Sequence, residues 1–177
     1  MATEFDDTYS PCAGADFVFS SGMEDEVINL PGYQFEKEGL RDGIEYKVFG
    51  QYDKFIGILA RIDTRYHFLI RPERLTDKLF KAIGAEYEFQ TGDKEFDRRL
   101  FIIGRENTNY QQALQFASVR DQILKLWPFR EFFVGPNCIF LKLPVRNKHE
   151  FETIDSIACI DNLIKLGKTL RDIISNN

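Results

Sequence analysis

Only one set of residues in this sequence combines a histidine with carboxylates in a way that suggests acid–base chemistry: His67, Asp93 and Asp97. A histidine beside carboxylates can move protons as a general acid or base when the side chains meet in the fold. Nothing in their spacing brings them together, because His67 lies in a strand-like segment and the aspartates lie in a separate turn. An enzyme using Asp93, Asp97 and His67 is therefore one of three hypotheses, and no residue is assigned a catalytic role.

Arginines around the central predicted strands offer a different chemistry, the binding of anions. Arg61 and Arg71 fall near the ends of two strands that we expect to be neighbours, with His67 between them. Two guanidinium groups on adjacent strands can hold a carboxylate or a phosphate bidentately. The same arginines can instead form salt bridges with Glu86 and Glu88 across the sheet. The candidate ligand-binding residues are therefore Arg61, Arg71 and His67.

Motifs for metals, nucleotides and nucleophiles are missing from the sequence. Neither His67 nor His149 has a cysteine or histidine at ligand spacing, so no zinc site is predicted. The run Asp93–Asp97 begins like a calcium loop, but Arg98 and Gly104 stand where such a loop needs a glycine and a glutamate. No phosphate-binding glycine loop and no Gly-x-Ser-x-Gly elbow occurs. We therefore predict no metal ion and no cofactor.

One segment is distinctive in its residue order. It contains Thr91, Gly92, Asp93, Phe96, Asp97, Arg98 and Arg99, followed by an apolar strand. Asp93 can cap a short helical turn, and Phe96 can anchor that turn in the core. Asp97 can tie it to the sheet together with Arg99 or with a neighbouring arginine.

The segment resembles a motif of uncharacterised bacterial domains, in which a Thr-Gly-Asp turn precedes Phe-Asp-Arg-Arg and an apolar strand. The resemblance extends over residues 85–127. It implies a bacterial protein of unknown function and supplies no catalytic residue. Domains of that kind often accompany membrane-spanning segments, and we expect none in this chain.

An antiparallel sheet is predicted to position these residues. Apolar and polar residues alternate with period two between Tyr33 and Pro72, and the short connections are typical of a meander. Asp63–Arg65 is predicted to close a hairpin between two of these strands. A C-terminal hairpin is predicted around Gly135–Asn137. Its arms are apolar throughout, so either both faces of the sheet are covered or an apolar face is exposed.

Helical periodicity predicts two long helices. The first begins near Thr108 and stops at Pro128, and its apolar face includes Phe116 and Trp127. The second begins near Thr153. The predicted fold class is α+β: an antiparallel β-sheet, made of a meander plus a C-terminal hairpin, with two long helices packed mainly on one face.

Domain boundaries follow from regularity along the chain. Residues 1–30 are predicted to form an irregular, partly ordered N-terminal segment, because glycine, proline and serine interrupt any pattern there. Residues 31–177 are predicted to form a single α+β domain. A shorter amphipathic helix is predicted over 73–84.

The amino-acid composition limits the classes of protein to which this chain can belong. The chain has 177 residues, of which 44% are hydrophobic and 29% charged, an ordinary globular balance. Its net charge of −5 argues against nucleic-acid binding, because such domains are usually basic. The longest apolar run, Phe55–Ala60, is far shorter than the roughly 20 residues of a membrane span.

The number and spacing of the cysteines indicate the cellular compartment of the protein. Cys12, Cys138 and Cys159 form no Cys-x-x-Cys pair, and three cysteines are too few and odd in number for a secreted disulfide scaffold. We predict buried free thiols. No secretory signal is recognisable at the N-terminus. A reducing, cytoplasmic location is therefore expected.

Seventeen phenylalanines indicate a bulky core, an apolar pocket or an adhesive surface. The first hypothesis is a non-enzymatic protein-interaction module that binds a protein partner or forms a homodimer, with the helix 153–174 or the hairpin 129–141 as the seam. The second is a binder of a small apolar or amphipathic carboxylate in a Phe-lined pocket, with Arg61 or Arg71 at its mouth. The enzyme hypothesis is the third. We adopt the first, because catalytic constellations are missing from the sequence and because the predicted apolar helix and hairpin faces exceed what a monomer needs.

Overall fold

Seven antiparallel strands form one sheet at the centre of the structure. The computed structural model describes residues 35–52, 54–73, 89–104 and 109–175. The strands are β1 (Phe35–Arg41), β2 (Ile44–Gln51), β3 (Phe55–Ala60), β4 (Phe68–Pro72), β5 (Leu100–Gly104), β6 (Glu131–Gly135) and β7 (Cys138–Pro144). The predicted N-terminal segment 1–30 and, apart from Glu73, the predicted helix 73–84 lie outside the described residues.

The order of strands across the sheet is β1-β2-β3-β7-β6-β4-β5. The predicted meander is present in β1, β2 and β3, and the predicted C-terminal hairpin is β6–β7. That hairpin lies between β3 and β4, so the prediction of a β3–β4 hairpin closed by Asp63–Arg65 is wrong. Alternation within a strand predicts which side chains face the core, but it does not specify the neighbouring strand.

The segment from β3 to β4 crosses the tip of the β6–β7 hairpin. The backbone N–H of Ile62 donates to Asn137 O at 3.0 Å, and that of Thr64 donates to Pro136 O at 3.0 Å. The buried Thr64 hydroxyl also donates to Gly135 O, at 2.8 Å. Arg65 follows with a φ of 55°. Because of these bonds, the Asp63–Arg65 segment is part of a crossover between β3 and β4, although the local sequence pattern predicts a hairpin turn there.

Five helices occur among the described residues. They are α1 (Lys94–Arg99), α2 (Tyr110–Gln115), α3 (Ala117–Lys125), α4 (Lys148–Thr153) and α5 (Ser156–Ser175). The first predicted long helix is interrupted at Phe116, whose ψ of 121° is extended. The second is α5, which starts three residues later than expected because Asp155 Oδ1 accepts a hydrogen bond from Ala158 N. The α+β class is confirmed.

The helix face of the sheet carries the larger hydrophobic core. Side chains of α2, α3 and α5 pack there against alternating strand residues such as Phe68, Phe132 and Ile139. Gly167 of α5 allows the closest approach, because a Cβ at that position would lie 2.3 Å from the Cδ1 of Ile62.

The opposite side, here called the aromatic face, carries a second buried cluster. It consists of Leu59, Phe133, Cys138 and Phe140, with Phe49 and Leu69 against it. Both arms of the β6–β7 hairpin are therefore buried on both faces, which settles the alternative that the sequence left open. The hairpin does not present an apolar seam. The apolar stripe of α5 is likewise buried in the core from Ile160 to Leu170, whereas Ile157 at the start of this helix is exposed.

Two cysteines of the described residues differ in redox state. Cys138 is buried, as predicted, but it is disulfide-bonded rather than a free thiol. Cys159 carries a free, half-buried thiol. Burial, and secondly the charge of Asp155, raise the pKa of the Cys159 thiol. The expected cytoplasmic location is based on free thiols at all three cysteines, and the disulfide at Cys138 does not support that basis.

Alkylation with iodoacetamide is expected to separate the two cysteines. In the folded, unreduced protein, Cys159 should react slowly, and its rate should keep rising at alkaline pH where an ordinary thiol has levelled off, because its thiolate is disfavoured. After denaturation without reductant, peptide mass spectrometry should find Cys159 labelled and Cys138 unlabelled. Labelling of Cys138 before reduction would contradict the disulfide and favour a reducing compartment.

Candidate functional site

The distinctive Thr91–Arg99 segment folds into a loop closed around its own carboxylate. Asp97 Oδ1 accepts from the Thr91 N–H at 3.0 Å and from the Thr91 hydroxyl at 2.8 Å. Asp97 Oδ2 accepts from the Gly92 N–H at 3.0 Å, where Gly92 has a φ of 83°. Successive backbone N–H groups in such a turn form a concavity suited to an anion. Because Asp97 occupies this concavity, the loop does not offer it to an external phosphate or carboxylate.

Asp93 caps α1, as the sequence predicts. Its Oδ1 accepts from Glu95 N at 3.0 Å and from Phe96 N at 3.2 Å. The bond from Phe96 N–H, supported by Glu95 N–H and Arg120, lowers the pKa of Asp93 against the opposing effect of desolvation. A lowered pKa means that this stabilisation is present at neutral pH and is lost as the pH falls through the folded-state pKa.

Two further motif residues, Phe96 and Arg99, have structural contacts. Phe96 is fully buried in the core of the helix face, as predicted. Arg99 pairs with Glu95 at 2.8 Å along α1, and Arg98 is exposed. The expectation that Asp97 reaches an arginine is not met, because Asp97 binds its own loop. The long-range ion pair is made by Asp93 instead, to Arg120 Nε at 3.4 Å.

Arg61 and Arg71 do not form a common anion site. Arg61 directly follows β3, and Arg71 lies near the end of β4. These two strands are three positions apart in the sheet, which corresponds to about 14 Å. Arg61 pairs with Glu45 at 3.5 Å, while the Arg71 guanidinium lies 4.5 Å from the centre of the Phe101 ring. The prediction failed because it placed the two strands side by side.

His67 lies apart from Asp93 and Asp97. The residue is 8% exposed, and its ring meets Phe133 edge-on at 5.2 Å on the aromatic face. Asp93 is bound to α3 on the helix face through Arg120. The sheet therefore separates the histidine from Asp93, the carboxylate that an acid–base mechanism would need beside it. Within the described ranges, no group of three or more His, Cys, Asp or Glu side chains is arranged to hold a metal ion.

A surface that the sequence analysis missed is formed where α2 meets α3. Phe116, which the periodicity places on the apolar face of one continuous helix, is instead 44% exposed. No charged residue occurs from Asn109 to Val119, although 29% of the chain is charged. We call the exposed members of this stretch the α2–α3 face; they are Asn109, Gln111, Gln112, Gln115, Phe116, Ala117 and Ser118. The only sequence signal for it is the absence of charge.

Comparison with known proteins gives no family for this chain. No family model, no curated protein and no solved structure matches it. The resemblance of the Thr91–Arg99 segment to bacterial domains therefore stays a prediction. None of the helices in the described part is long and apolar enough to cross a membrane.

Proposed function

We propose that this chain is a non-enzymatic protein-interaction module and that the α2–α3 face is its contact surface. The observation that carries the proposal is the exposed Phe116 ring at the centre of an uncharged stretch. Depletion of charge and enrichment in aromatic residues characterise the centres of protein–protein interfaces. Large aromatic side chains there commonly dominate the binding energy.

The buried state of the other apolar surfaces supports this choice. Both arms of the β6–β7 hairpin and the apolar stripe of α5 from Ile160 to Leu170 are packed inside the chain, so neither is free to form the dimer seam of the first hypothesis. The other large hydrophobic residues exposed in the described part are Leu40, Trp127 and Ile157. Leu40 and Ile157 lie beside charged, exposed neighbours, Arg41 and Asp161, which form a bidentate pair. Such surroundings are typical of solvated surface.

Site-specific photo-crosslinking tests the proposal in cells of the source organism. Benzoylphenylalanine at position 116 is expected to give one discrete protein adduct, whereas the same probe at Leu40 gives none. Leu40 is the matched control because it is a 69% exposed apolar residue away from the α2–α3 face. An adduct of twice the chain mass would identify a second copy as the partner. Equal labelling from both positions, or none from 116, would overturn the proposal.

Binding by the purified partner then measures the contribution of Phe116. Phe116→Ser is expected to weaken binding by roughly 30-fold, corresponding to a hot-spot loss of about 2 kcal/mol. Leu40→Ser removes a more exposed apolar side chain and should change affinity less than about twofold. Titration calorimetry of both variants gives the comparison. Unchanged affinity for Phe116→Ser would contradict the assigned surface.

A further inference from the structure

The interruption between α2 and α3 has no local cause in the sequence. Neither proline nor glycine occurs between Tyr110 and Leu126, and the apolar periodicity favours one continuous helix. In that helix, Phe116 would lie on the apolar face three residues after Ala113. The structure instead gives Phe116 extended dihedrals, φ −73° and ψ 121°, and an exposed ring. Side-chain contacts, rather than a helix-breaking residue, must therefore maintain the break.

Arg120 supplies the contacts at the break itself. Its Nη1 donates to Leu114 O at 2.8 Å and to Gln115 O at 2.7 Å, the last carbonyls of α2. In a continuous helix, these two carbonyls would accept from the backbone N–H groups of Ser118 and Val119. Val119 N instead donates to Phe116 O at 3.1 Å. The guanidinium thus takes the place of the helical hydrogen bonds that would straighten the chain.

Asp93 holds Arg120 in that position from a distant part of the chain. The ion pair at 3.4 Å joins them, and the Arg120 side chain is only 13% exposed. Asp93 is itself fixed by its two hydrogen bonds to the N-terminus of α1. The Thr91–Arg99 loop is therefore connected to the last carbonyls before Phe116 through a single arginine.

We infer that Arg120, held by Asp93, is a positioning residue that keeps the helix broken at Phe116 and thereby displays the Phe116 ring on the surface. The Thr91–Arg99 motif thereby has a role in the exposure of the contact residue Phe116. Its importance for binding rests on the proposed function, but the conformational effect is measurable without a partner.

A single-tryptophan reporter tests the inference directly. Trp127 is the one tryptophan of the chain, so Trp127→Phe with Phe116→Trp places a fluorophore at position 116 alone. Adding Arg120→Gln is expected to shift the emission to shorter wavelength and to lower acrylamide quenching by roughly half, because a ring that was 44% exposed becomes buried. Helical circular dichroism should rise as α2 and α3 join. Asp93→Asn should move both signals in the same direction, by less.

Lys125→Gln is the matched control, because it removes a positive charge from the exposed side of α3 and should leave the emission unchanged. A merely structural role for Arg120 predicts the opposite result, loosening with a shift to longer wavelength and lost helicity. That outcome, or an unchanged emission in Arg120→Gln, would overturn the inference. If Arg120→Gln does not fold, the emission and the helical circular dichroism of Arg120→Lys and Asp93→Asn test the inference in its place. Failure of Phe116→Ser to weaken binding would count against the proposed function alone.

Discussion

Phe96→Ala is expected to lower the free energy of unfolding by about 3–5 kcal/mol, the range for removing a buried aromatic ring from a well-packed core. Phe96 is fully buried and is the only buried residue of α1. Its ring is the apolar anchor of a six-residue helix that is otherwise polar. Losing the ring should therefore leave a cavity and also release the Thr91–Arg99 loop from the core.

Urea denaturation followed by circular dichroism measures this effect. Leu40→Ala is the control, because a 69% exposed leucine should change stability by less than about 0.5 kcal/mol. The emission of the position-116 reporter should also change in Phe96→Ala, since the Asp93 cap moves with α1. A loss below about 1 kcal/mol would show that the loop is held by its hydrogen bonds rather than by its ring.

Asp97→Ala is the second large change, with an expected loss of about 2–3 kcal/mol. It removes a carboxylate that accepts three hydrogen bonds, two from Thr91 and one from Gly92. Hydrogen bonds to a charged acceptor are the stronger kind, although partial exposure of the loop limits their net value. Asp97→Asn should recover only part of the loss, because its amide would face the Gly92 N–H with a donor.

Asp121→Ala provides the comparison for Asp97→Ala. Asp121 is an exposed acid on α3, so its removal changes the net charge equally without touching the loop. Thermal unfolding of the three variants at neutral pH gives the ranking. If Asp97→Ala were as stable as wild type, the Asp97 carboxylate would not be needed to hold the loop. That result would favour the enzyme hypothesis, in which Asp97 is an acid–base residue.

Local signals were sufficient for the parts of the fold that depend on neighbouring residues. Alternation predicts the strands between Tyr33 and Pro72, and the Gly135–Asn137 turn predicts the β6–β7 hairpin. The cap at Asp93 and the anchor at Phe96 followed from residue type at a helix start. Each of these features is decided within a few residues, so a single sequence carries the information.

Features that depend on distant residues were not accessible in this way. The order of strands depends on which edges meet after collapse, and Arg61 and Arg71 were misplaced for that reason. The break at Phe116 depends on Arg120 and on its ion-pair partner Asp93, which lies 27 residues before Arg120 in the sequence. Periodicity places Phe116 and Trp127 on the apolar side of one continuous helix, and it has no means of showing that hydrogen bonds from the Arg120 side chain interrupt that helix. The α2–α3 face was missed as a result.

The position of the β6–β7 hairpin has a consequence for the nascent chain. β3 can pair with β2 and β4 with β5, but each has one edge without its neighbour, because the hairpin that separates β3 from β4 begins about sixty residues after β4 ends. At roughly 5–20 residues per second, the two strand edges wait several seconds for completion. Exposed strand edges are templates for aggregation, so chaperones should bind this chain before Glu131 emerges and release it afterwards. A premature stop codon in that interval would leave a product without the middle of its sheet.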